Sequence, residues 1–197
     1  MGIVLFGAIG GLGMCGSGGV GDPSEVGMTK GVGMTKGGEP LSVASDISPQ
    51  RGERGRVLSI ARAEVGVREL TGRNDGKRIA EYLLYTGIKV PAAYCASYIS
   101  WCFGKAGYDR PRTAWSPAMF PASRIVKEPK PADVFGVWFP ELGRIAHVGL
   151  VAEIKGDWLV SYEANSNNSG SRNGDGVYAR MRHKRTVYKY ADWVSGQ

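Results

Sequence analysis

The hydrophobic pattern changes period near the middle of this chain, and that change constrains the fold more than any other feature. Up to about residue 107 the apolar residues recur at helical spacing; after about residue 130 they alternate or run continuously, as in strands. Val57, Leu58, Ala61 and Val65 predict a first helix, with Ser48 as its cap, Pro49 at its first position and a stop near Gly66. Ile79, Tyr82 and Leu83 predict a second, closed by Thr86-Gly87. Pro91 opens a third segment, in which Cys95, Tyr98, Ile99 and Cys102 trace one face and Gly107 is the stop. Strands are predicted over 132–139, 147–154, 158–164 and 176–182, with a hairpin turn at Lys155-Gly156-Asp157. Helices first and antiparallel strands afterwards define an α+β domain.

That domain is expected over residues 48–197. Roughly half of the 30 glycines fall before residue 40, where a packed core is implausible. Residues 1–47 therefore read as a flexible glycine-rich segment. Residues 3–14 are apolar or glycine, too short a run to span a bilayer as a helix. They have the length of a signal peptide's apolar core, and Cys15 stands where a lipoprotein cysteine would; no Lys or Arg precedes Lys30, so the basic start of a signal is missing. An export segment and a disordered tail both remain open. The hexapeptide VGMTKG occurs at 26–31 and again at 32–37, two copies that read as linker and not as a repeat fold.

The net charge of +7 favours an anionic partner: nucleic acid, membrane surface or a polyanionic cell wall. Arg180, Arg182, His183, Lys184 and Arg185 form the one compact basic run, read here as a solvated strand or loop. No nucleic-acid module is legible, so no such partner is expected. Three cysteines make no disulfide framework. Cys95 and Cys102 on one helix would be roughly 10 Å apart, too far to bridge.

Cys95 falls at the start of the third helix, where outward N–H groups and the helix dipole stabilise a thiolate. Cys102, mid-helix on the packing face, has no such neighbour. A thiolate hydrolase needs a base. Of the two histidines, His183 lies in the basic run, and His147 opens the strand HVGLV, which makes it the candidate. The hairpin then returns WLVSYEAN to the level of His147. Residues two apart on a strand share a face, so Glu163 or Asn165 is expected to orient the imidazole.

The segments YCASYISWCFGKAGY, PADVFGVW, IAHVGLV and YEANSNNSGSRNGDGVYARMR, in that order, resemble the CHAP family of cysteine- and histidine-dependent amidohydrolases and peptidases, over about Val57 to Arg182. The resemblance implies a papain-like fold in which N-terminal helices, the nucleophile at a helix start, pack on an antiparallel sheet. It implies a peptidoglycan hydrolase cutting an amide bond, with Cys95, His147, Glu163 and Asn165 catalytic and Trp115, Phe120 and Trp138 along the substrate groove. Some relatives bind calcium in an acidic loop before the nucleophile. Here TGRNDGKR has a single acid, so neither metal nor other cofactor is expected. A monomer acting at the cell wall, periplasmic or extracellular, is expected, with membrane contact only if Cys15 is lipidated. It could be phage-encoded and released at lysis, or a cell's own remodelling enzyme. The alternative is a catalytically silent wall-binding or anchored module of the same fold.

Overall fold

A computed structural model describes residues 49–167 and 173–196. Ser48, Cys15 and the hexapeptide pair lie outside these residues. The chain divides into two units, Met1–Leu41 and Ser42–Gln197, and all the described residues belong to the second.

The fold is α+β. Three helices come first: α1 (Pro49–Ala63), α2 (Lys77–Tyr85) and α3 (Cys95–Lys105). Six strands come after them: β1 (Ile125–Val126), β2 (Val134–Phe139), β3 (Arg144–Lys155), β4 (Trp158–Ser166), β5 (Gly176–His183) and β6 (Lys189–Ala191). They form one antiparallel sheet in the order β1-β6-β2-β3-β4-β5. α1 ends at Ala63, three residues short of Gly66, and β3 starts three residues before His147. The turn between β3 and β4 uses Gly156 at φ 57°, a left-handed conformation that glycine adopts without penalty.

The main core lies between helices and sheet. α3 is buried from Cys95 to Phe103, all round and not along one stripe, because α1, α2 and the sheet enclose it. Val57, Ala61, Ile79, Tyr82, Leu150 and Ala164 complete that core. Phe135, Val151 and Leu159 make a smaller cluster. Val134 and Leu150 belong to the first cluster and their chain neighbours Phe135 and Val151 to the second, so the two clusters occupy opposite faces of the sheet.

Buried polar groups tie the layers together. The Tyr98 hydroxyl donates to the Ala61 carbonyl at 2.9 Å, locking α3 to the end of α1. Tyr82 donates to Glu64, joining α2 to the same place. Arg54 on α1 reaches Asp133 Oδ1 at 2.8 Å, Asp192 Oδ2 at 2.5 Å and the Pro131 carbonyl at 2.7 Å. Both carboxylates are buried, and one guanidinium serves both with charge-assisted bonds.

Candidate active site

Cys95 is the first residue of α3, with Tyr94 as its non-helical cap. Tyr98 N–H bonds back to the Tyr94 carbonyl at 2.8 Å, while the N–H groups of the first turn have no carbonyl within the helix to satisfy them. Cys95 is 5% exposed. Its Sγ lies 3.6 Å from the Ser116 Oγ. Burial alone would push the thiol up; hydrogen bonding to His147, the His147 charge, Ser116 and the Val148 N–H reverse that and hold it below its ordinary value. Cys102 is the contrast: burial pushes its thiol well up.

His147 is the fourth residue of β3, paired with Val137 of β2 but beyond the β3–β4 ladder, which runs from Leu150↔Tyr162 to Lys155↔Trp158. Its Nε2 is 2.7 Å from Glu163 Oε2. Burial works against its charge, but the bonds to Cys95 and Glu163 and the Glu163 carboxylate outweigh it and raise the imidazole from 6.5 to about 9. A lowered thiol beside a raised imidazole is the signature of a thiolate–imidazolium pair.

Glu163, on β4, is 0% exposed. Both its oxygens are engaged. Oε1 accepts from Ser161 Oγ at 2.7 Å and Arg182 Nε at 3.1 Å; Oε2 accepts from Arg182 Nη2 at 2.7 Å and faces His147. Burial would raise this carboxyl; His147 and then Arg182 hold it well below the usual carboxylate range. Gly149, two residues after His147, makes room for it. A Cβ there would sit 2.8 Å from Glu163 Cγ and 2.5 Å from Phe135 Cζ.

Asn165 is placed differently from Glu163. The β4–β5 register shifts between Ala164 and Ser166, and Asn165 is the bulged residue at φ 52°, so the two-residue alternation that would put both side chains on one face breaks there. Among the described residues no hydrogen bond joins Asn165 to His147, and its Oδ1 is buried without a partner. It lines a cleft of about 410 Å³ together with His147, Ala146, Arg144, Arg180 and Arg182.

The aromatic candidates separate. Trp115, 53% exposed, immediately precedes Ser116 and carries the Arg144 guanidinium 4.4 Å over its ring. Phe120 is buried in the main core. Trp138, 40% exposed, pairs with Tyr188 at 5.1 Å between ring centroids, and neither it nor Trp115 is among the residues lining the cleft.

Sequence reasoning missed Arg182, Ser161 and Ser116. Arg182 was hidden in the basic run, yet the run divides: Arg182 is drawn onto Glu163, and Arg180 donates to Ser166 Oγ at 3.0 Å. The readable signal was position. Arg180 and Arg182 sit at i and i+2 of a strand that pairs with the one bearing Ser161 and Glu163.

No family model matches the sequence, and no curated protein matches it. Among solved structures the chain is similar to the peptidoglycan hydrolase RipB from Mycobacterium tuberculosis, at 20% identity and a TM-score of 0.46, over 79% of this chain and 72% of that one. It is also similar to Ly7917, at 18% identity and a TM-score of 0.40, over 70% of this chain and 60% of that one.

Proposed function

We propose that this chain is a cysteine hydrolase that cuts an amide bond of peptidoglycan. The observation that carries the reading is the connected set Cys95–His147–Glu163, with the thiol lowered and the imidazole raised. The CHAP-like order of motifs around the same residues supports peptidoglycan as the substrate, and a net charge of +7 suits a polyanionic wall.

In this mechanism the Cys95 thiolate attacks the scissile carbonyl carbon, and the oxygen takes up negative charge. The Cys95 N–H, at the helix start, is placed to receive that oxyanion. As the C–N bond breaks, the imidazolium of His147 gives its proton to the leaving amine, leaving a thioester on Cys95. Water then attacks the thioester while neutral His147 takes its proton, which releases the carboxylic acid and restores the thiolate. Glu163 holds the imidazole ring and stabilises its charged form, and Arg182 and Ser161 hold Glu163. Asn165 borders the cleft beside His147, where its unpartnered Oδ1 would meet the substrate. The protein acts as a monomer at the cell wall, periplasmic or extracellular, as an endolysin or a remodelling enzyme.

A zymogram tests this. Wild-type protein should clear peptidoglycan, and Cys95→Ala should not. Clearing by both would remove Cys95 from the mechanism; clearing by neither would favour a silent wall-binding module. Mass spectrometry of digested sacculi then identifies the bond from its new termini.

A further inference from the structure

The cleft beside His147 is lined by three arginines, Arg144, Arg180 and Arg182, and by no aspartate or glutamate. Arg182 is neutralised by Glu163. Arg144 and Arg180 have no carboxylate partner among the described residues. Arg180 donates to the Ser166 hydroxyl and the Asn167 carbonyl. Arg144 donates to the Ile145 carbonyl at 3.2 Å, and its guanidinium carbon lies 4.4 Å from the centre of the Trp115 ring. In its charged form the Cys95–His147 pair is neutral as a whole. Among the described residues the concavity therefore keeps two cations without a paired carboxylate, and low-dielectric walls concentrate their field on whatever enters.

Arg144 is the better placed of the two. It lies three residues before His147 on β3, and its partner Trp115 adjoins Ser116, which touches the Cys95 sulfur. A cation held over an indole face has fewer rotamers to lose on binding, and the guanidinium is a planar fork that suits a bidentate acceptor. A planar anion of matching geometry is a carboxylate.

We propose that Arg144, held on Trp115 and assisted by Arg180, reads a free carboxylate on the substrate near the scissile amide, so that the site selects acidic peptides over their amidated counterparts. The inference takes the peptide's identity from the proposed function. The carboxylate preference itself needs no catalysis, so it can be tested in protein that cannot turn over.

Two synthetic stem peptides, L-Ala-γ-D-Glu-L-Lys-D-Ala with the C-terminus amidated, differ only in whether the glutamyl α-carboxyl is free or amidated. Their binding to Cys95→Ala protein is measured by calorimetry at low and raised salt. The free carboxylate form should bind about tenfold more tightly, the contribution of one charge-assisted contact. Salt should narrow the difference. Arg144→Gln in the same background should remove most of it, and Arg144→Lys, which keeps the charge without the planar fork, should retain part. Equal binding of the two peptides, a difference untouched by Arg144→Gln, or no binding of either overturns the proposal. The peptide comparison in Cys95→Ala alone decides the matter if an Arg144 variant does not fold. Selective binding by a protein whose wild type clears no peptidoglycan would sink the hydrolase reading and leave this one standing.

Discussion

Glu163 carries a charge with no exposure to water, and the sign of each of its neighbours can be read from a pH profile. With the imidazole raised to about 9, the active thiolate–imidazolium form should persist up to that pH and be lost above it, as His147 gives up its proton. The alkaline limb of kcat/KM should therefore lie near 9. Glu163→Gln removes the anion that raises the imidazole, so this limb should move down, with turnover reduced by about tenfold or more. Arg182→Ala removes a cation from the other side of the same carboxylate, so the limb should move up while kcat falls. Limbs that shift together, or not at all, would break the assignment of Arg182 as a positioning residue. The two cysteines separate as sharply: iodoacetamide should label Cys95 well before Cys102, followed by peptide mass spectrometry of the folded protein. Cys95 could be singled out from sequence because it sits at a helix start; His147 and Glu163 because the hairpin at 155–157 folds their two strands together, although both lie inside their strands and not at the ends. Arg182 was marked only by its alternation with Arg180 on a strand pairing with that of Glu163, and Ser116, in an irregular segment, by nothing local.

Strands and helices are legible to the extent that their own residues decide them. α2, α3 and the long strands β2 to β5 carry clear periods, and the structure has them within a few residues of the expected bounds. β1 and β6 have two and three residues, too few to show a period, and exist because they pair with each other and with β2. The bulge at Asn165 is likewise silent, because it is a feature of register between strands. Gly149 shows an element serving the site. The side chain it lacks is the space taken by Glu163 and Phe135. Gly149→Ala should cost about 1–3 kcal/mol of stability by overpacking. Because Glu163 is held by three partners, its displacement should lower kcat more than it changes KM. A variant with unchanged melting temperature and full turnover would show that the carboxylate has slack the geometry does not suggest.

Across the whole domain, Arg54 binds the first helix to the residues flanking the sheet, through Asp133 before β2 and Asp192 after β6. Arg54→Ala would leave two buried carboxylates without their shared cation, and should lower stability by about 3–5 kcal/mol in denaturant melts. The segment before it is expected to be dispensable: a chain shortened to begin at Leu41 should keep a cooperative melt and its hydrolytic activity, and loss of either would show that the glycine-rich segment belongs to the domain. β6, close to the end of the described residues, lies inside the sheet between β1 and β2. β1 therefore meets β2 only through β6. Losing residues 189–192 would therefore detach β1 from the sheet and leave Arg54 without one of its two carboxylates, while every candidate catalytic group stayed in the chain.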